Sequence, residues 1–147
     1  MNEKQLNVLL ADDDSDDRDF FKIALDALPL LTKLKTVNDG EQLMNYLSKN
    51  HENLPNILFL DINMPRKNGI ECLSEIKQNN KLKDLPVVMF STANSQEKIK
   101  LVFKNGANVY LHKPCDICQL KQLLLHVLPI ATENVFSNGP IKYILNA

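Results

Sequence analysis

Four short apolar runs in this chain each stop on a polar residue, and no other feature limits its fold so tightly. Val8-Leu9-Leu10-Ala11 runs into Asp12-Asp13, and Ile57-Leu58-Phe59-Leu60 runs into Asp61. Val87-Val88-Met89-Phe90 runs into Ser91-Thr92, and Val109-Tyr110-Leu111-His112 runs into Lys113-Pro114. Continuous apolar runs separated by helical patterns are the mark of strands buried on both faces of a parallel sheet. In open sheets of that kind the functional crevice lies outside the carboxyl ends of the strands. Three carboxylates, a hydroxyl and a lysine are therefore expected to converge at one edge.

The intervening segments supply the helices. After a first strand over residues 6–11, residues 15–28 place Phe20, Ile23, Ala24 and Ala27 at helical spacing, and Pro29 closes them. Asp14 or Ser15 can cap this helix. Asp14, Asp16, Asp17 and Asp19 read as acids that a helix start favours, because the dipole there attracts negative charge. A weaker strand over 34–37 leads through Asn38-Asp39-Gly40 into a helix holding Leu43, Met44 and Leu47. The third strand ends at Asp61, and a helix with Ile70, Leu73 and Ile76 follows the loop 62–69. After the fourth strand, Ser95 can cap a helix with Ile99, Val102 and Phe103 on one face and Gly106 as its stop. After the fifth, Asp116 can cap a helix containing Ile117, Leu120, Leu124 and Val127, which Pro129 is expected to end.

Five alternations of strand and helix imply right-handed crossovers and a parallel sheet covered on both faces. Residues 1–129 thus form one domain, and 130–147 an extension. That extension keeps Val135, Phe136, Ile141, Tyr143, Ile144 and Leu145, too apolar for a solvated tail, with a hairpin turn conceivable at Ser137-Asn138-Gly139-Pro140. Either it packs on its own domain or it forms the seam of a homodimer.

Length and charge narrow the function classes. A chain of 147 residues suits one domain with a proper core. With 17 basic and 18 acidic residues, the net charge of -1 offers no global field for nucleic acid or an anionic membrane. Met1-Asn2-Glu3-Lys4-Gln5 lacks the apolar stretch of a signal peptide, and no run approaches membrane-spanning length. Three cysteines, an odd number, do not suggest a disulfide framework. The expectation is a cytoplasmic protein.

Asp12, Asp13 and Asp61 crowded at one sheet edge would repel one another unless a cation is present. Oxygen-only ligands on a partly open loop suit a hard ion that keeps several waters, namely Mg²⁺. Carboxylates are known nucleophiles that form acyl phosphates. A loose phosphoryl-transfer transition state needs mainly alignment and positive charge, which Mg²⁺ and Lys113 can supply.

In this order the residues resemble the receiver domain of two-component response regulators, over roughly residues 5–128. The resemblance implies a flavodoxin-like fold, a doubly wound five-stranded parallel sheet of order 2-1-3-4-5. It implies that Asp61 accepts a phosphoryl group from a histidine kinase or a histidine phosphotransfer protein. Asp13, Asp61 and the backbone carbonyl of Asn63 would bind Mg²⁺ directly, with Asp12 assisting through water. Ser91 and Lys113 would each bond a phosphoryl oxygen, and the bond before Pro114 would be cis. Tyr110 matches the aromatic switch residue, which would swing inward once Ser91 moves toward the phosphoryl group; its other reading is an amphipathic strand residue with a wet hydroxyl. Gly69, eight residues after Asp61, supports the alignment, since glycine opens backbone angles closed to other residues.

Departures are Cys115, where the family often has Phe, and the identities of Asn63 and Ala93 at positions that tune phosphoryl lifetime. Too few residues follow for a DNA-binding helix-turn-helix or an enzymatic output domain. The expected action is docking to a downstream protein target, with catalysis limited to the protein's own phosphorylation and dephosphorylation. An exposed Leu101 beside Tyr110, with Lys98, Lys100 and Lys104, would suit the helix 4, strand 5, helix 5 surface of related domains. Two rivals are a receiver that has lost phosphorylation and serves as a scaffold, and an aspartate-nucleophile phosphatase. The latter typically has a second Asp where this chain has Asn63. Cys115-Asp116-Ile117-Cys118 with His112 suggests redox or zinc chemistry only weakly, and Cys72 and Cys118 read as small core residues.

Overall fold

A computed structural model describes residues 5–93, 95–107, 109–132 and 143–145. Strands and helices alternate as β1 (Leu6–Ala11), α1 (Ser15–Asp26), β2 (Thr32–Val37), α2 (Gly40–Lys49), β3 (Ile57–Leu60), α3 (Gly69–Gln78), β4 (Val87–Ser91), α4 (Gln96–Lys104), β5 (Val109–His112), α5 (Ile117–Thr132) and β6 (Tyr143–Leu145). All strand pairs are parallel, and the order is 2-1-3-4-5 with β6 added beyond β5. The expected flavodoxin-like sheet is present, one strand wider than predicted. That strand pairs Ile144 with Tyr110, so part of the extension lies on its own domain. The suggested turn at 137–140 lies outside the described residues.

Alternation along buried strands builds two cores. Leu9, Ala11, Leu58, Leu60, Val87, Met89 and Tyr110 face α2, α3 and α4. Val8, Leu10, Ile57, Phe59, Val88, Phe90, Val109 and Leu111 face α1 and α5. In the second layer Phe21, Phe59 and Phe90 meet edge to face, with centroids 5.0, 5.7 and 6.2 Å apart, the geometry their ring quadrupoles favour. Each such buried ring contributes on the order of 2–3 kcal/mol by leaving water.

Several local expectations are corrected. The buried stripe of α1 is Phe21, Ala24 and Leu25, continued by Leu28 just past its end, whereas Ile23 and Ala27 are exposed. Both stripes have helical spacing, and packing against the phenylalanine cluster and α5 selects the bulkier one. Pro129 lies inside α5 rather than ending it. Its fixed φ is itself helical, so a proline near the last turn forfeits a hydrogen bond without stopping the chain. Ser95 occupies the N-cap of α4 but its hydroxyl makes no cap bond. Asp116 does cap α5, accepting from the backbone N–H of Cys118 and Gln119 at 2.6 and 3.3 Å.

Candidate functional site

The sheet's own hydrogen bonding delivers the polar residues to one edge. Just past the strand ends, the N–H of Asp12 donates to Val37, that of Asp61 to Ala11 and that of Lys113 to Ser91, at 3.1, 3.0 and 2.9 Å. The parallel ladder therefore runs one residue into the site and fixes its backbone. Carboxylate oxygens of Asp12, Asp13 and Asp61 lie within 4.8 Å of one another. Asp12 and Asp61 are buried, whereas Asp13 faces solvent, which leaves one side of the cluster open.

Lys113 closes the other side. Its ammonium bonds Asp12 at 2.7 Å, Asp17 at 2.9 Å and Asp61 at 3.1 Å, and it lies 5.6 Å from the Phe90 ring centroid. Burial alone would lower its pKa. The hydrogen bond to Asp12, the charge of Asp61 and the bond to Asp17 outweigh that and hold the ammonium well above the usual lysine range. Burial pushes the Asp12 carboxyl up, and the like charge of Asp61 adds to it, against the pull of Lys113 and of the Asp14 N–H. A site whose acid is raised by dehydration and by a neighbouring carboxylate is one that a cation relieves. Three carboxylates and no nitrogen or sulfur donor form a set suited to a hard divalent ion.

Ser91 is fully buried at the end of β4, and its hydroxyl oxygen accepts from the Ala93 N–H at 3.2 Å. Tyr110 is also inside: the residue is 1% exposed and its hydroxyl donates to the Ala93 carbonyl. The reading with a wet hydroxyl is therefore overturned, and the inward position expected only after Ser91 moves is already occupied. Leu101 is exposed as expected, but Tyr110 does not surface beside it. Asn63 is exposed, with its N–H 3.4 Å from an Asp61 oxygen.

The loop after Asp61 departs from expectation at two points. Gly69 does not have positive φ; a Cβ there would instead run into the Asp61 carbonyl, so close approach is what requires glycine. The left-handed residue is Arg66, at φ 68°, whose guanidinium bonds Glu41 at 3.2 Å and lies 3.7 Å from Asp39. The Lys113–Pro114 bond is trans, not cis as the resemblance implied. Trans is the intrinsically preferred isomer even before proline.

Asp17 is the residue that sequence reasoning assigned to the helix dipole alone. Asp14 accepts from the N–H groups of Asp16 and Asp17, which opens α1 directly over the site and brings the Asp17 carboxylate to Lys113. Its position one helical turn past the first strand tip was the available signal. Among the described residues the acidic trio is the sole metal-capable cluster, so His112, Cys115 and Cys118 do not converge. Cys118 and Cys115 are exposed, contrary to the core reading of Cys118; α5 buries Leu120, Leu124 and Val127 instead. Cys72 is buried as expected, its thiol pushed up to about 12 by burial.

Comparison with known proteins agrees with this architecture. Residues 8–125 match the model of the response regulator receiver domain. The chain is 31% identical over 132 residues to the response regulator Rcp1 of Synechocystis, covering 87% of this chain and 90% of that one. The phosphorylated cyanobacterial phytochrome response regulator RcpA superposes with a TM-score of 0.78 at 30% identity, over 86% of this chain and 94% of that one. The Mn²⁺-bound form of Rcp1 superposes with a TM-score of 0.74 at 30% identity, over 83% and 91% of the two chains.

Proposed function

The chain belongs to the response regulator receiver family of two-component systems, and from that premise we propose that Asp61 is its phosphoacceptor. The observation that carries this reading is the Lys113 ammonium bridging the Asp12 and Asp61 carboxylates at 2.7 and 3.1 Å within an oxygen-only cluster. The donor is a phosphohistidine of a histidine kinase or phosphotransfer protein. An Asp61 oxygen forms the new O–P bond as the donor's N–P bond breaks, and the departing imidazole takes a proton from solvent. Asp12, Asp13 and Asp61, with the Asn63 carbonyl, are the residues to hold Mg²⁺, which supplies positive charge to the transferring group. That a relative was solved with Mn²⁺ supports a divalent ion of this class.

Lys113 neutralises a second phosphoryl oxygen, and the Ser91 hydroxyl leaves the Ala93 N–H to bond a third. Movement of Ser91 disturbs the Ala93 carbonyl that holds Tyr110, and this relays the phosphorylated state to β5 and α4. The exposed Leu101 and the lysines of α4 form the surface that a downstream protein reads. The protein does not turn over a substrate; it catalyses only its own modification, in the cytoplasm. No helix among the described residues is long and apolar enough to cross a membrane.

Incubation with acetyl phosphate and Mg²⁺, read by intact mass, is expected to show one labile phosphoryl adduct on the wild type and none on Asp61→Asn. An adduct that survives in Asp61→Asn would refute the assignment.

A further inference from the structure

Lys113 has three N–H donors, and carboxylates hold all of them: Asp12 at 2.7 Å, Asp17 at 2.9 Å and Asp61 at 3.1 Å. An ammonium has no fourth donor. A phosphoryl oxygen arriving at Asp61 can bond Lys113 only if one carboxylate lets go. The three differ in what release costs. Asp12 and Asp61, with side chains 1% and 9% exposed, belong to the trio able to hold an ion that would take over their charge, and Asp61 is itself the acceptor. Asp17 is 40% exposed and is hydrated when it leaves. It also lies outside the trio able to hold an ion, so a bound cation does not draw it away from Lys113.

We infer that Asp17 is a latch on Lys113: it holds the ammonium while Asp61 is bare, competes for it with the incoming phosphoryl group, and thereby slows phosphoryl acceptance. This rests on Asp61 being the phosphoacceptor. Asp17 is a positioning residue, since it acts through Lys113 and not on the reacting atoms. The latch is held in place locally. The Asp14 carboxylate caps the N–H groups of Asp16 and Asp17, and Arg18 bonds the Asp12 carbonyl at 2.8 Å, tying the first turn of α1 to the strand tip. Asp16, in the same turn, is exposed and has no ion pair with Lys113, which makes it the control for charge without contact.

The experiment uses the full chain, Mg²⁺ and acetyl phosphate, with the rate of adduct formation followed by intact mass. Asp17→Asn is expected to accelerate acceptance about threefold to fivefold, the scale of a partly exposed ion pair. It should tighten binding of the phosphoryl mimic beryllofluoride by a similar factor. Asp17→Glu is expected to return the rate toward wild type, and Asp16→Asn to shift it by less than about half of the Asp17→Asn effect. An unchanged or slower Asp17→Asn, or equal acceleration by Asp16→Asn, overturns the latch. A wild type that never gains the adduct refutes the phosphoacceptor reading first, before any variant is compared, and the latch falls with it.

Discussion

Two lysines are drawn out of water at opposite ends of this sheet, and their surroundings move them in opposite directions. Lys113, at the carboxyl ends of the strands, meets three carboxylates and is held charged. Lys77, in the last turn of α3, reaches the backbone carbonyls of Lys83 and Leu85, both at 3.3 Å. Burial there lowers its pKa, and the charge of Asp84 only partly offsets the loss. Carbonyl dipoles satisfy the donors of an ammonium, but they do not replace the solvation of a full charge. Only where formal negative charge converges does a buried amine become an electrostatic tool. The Lys77 end of the sheet is packing; the Lys113 end gathers formal charge.

The largest expected contrast comes from deleting each charge. Lys113→Met leaves Asp12 and Asp61 buried side by side without their cation, and breaking a buried pair in this way costs about 3 kcal/mol. Urea denaturation without divalent ions should show that loss, and added Mg²⁺ should recover part of it by replacing the missing charge. A Lys113→Met protein as stable as wild type in the absence of metal would mean that the carboxylates are not dependent on this lysine, and the distinction between the two ends would fail.

How much of this was legible beforehand follows from which forces act locally. The strands were readable because a chain buried on both faces needs unbroken apolar runs, and β1, from Leu6 to Ala11, was placed correctly to the residue. The convergence of Asp12, Asp61 and Lys113 was readable because each sits where such a run stops. The buried face of α1 was not. Two overlapping stripes share Ala24, and only the phenylalanine cluster, assembled from β3 and β4, decides between them. Asp17 was hidden for a different reason: an acid in a first turn already has a sufficient local cause, which masks a tertiary one. The requirement for glycine at position 69 was correctly sensed but wrongly explained, since the constraint comes from the Asp61 carbonyl rather than from φ. The sixth strand pairs at long range with β5, which no short-range pattern in the extension reveals.

A middle-sized effect tests the packing end. Gly106 has φ +104°, and a Cβ there would lie 2.8 Å from the Lys77 Cγ. Gly106→Ala should therefore cost about 1–3 kcal/mol, from backbone strain together with displacement of the Lys77 stem. In a Lys77→Ala background, which has no Cγ, the steric share disappears. The same substitution should then cost at least about 0.5 kcal/mol less. Equal costs in both backgrounds would show that the lysine stem does not pack against this glycine.

The smallest effect is the most discriminating, because its sign depends on pH. Lys77→Met should change stability by no more than about 0.5 kcal/mol near neutrality, since the methionine keeps most of the apolar stem and removes an unfavourably placed charge. In the wild type the folded-state pKa of Lys77 lies below its ordinary 10.5. Burying the charge is therefore penalised in full at neutral pH, and the penalty disappears as pH rises from the folded value toward the unfolded one. Wild type should gain on Lys77→Met across that alkaline window. Lys113 is shifted upward, so its stabilising contribution is complete below 10.5 and is lost only as pH climbs through its folded value. Urea midpoints for wild type and Lys77→Met, compared from pH 7 into that window, should diverge in favour of wild type. A flat difference would mean that the two carbonyls solvate the ammonium as well as water does, and that burial at this end of the sheet costs the charge nothing.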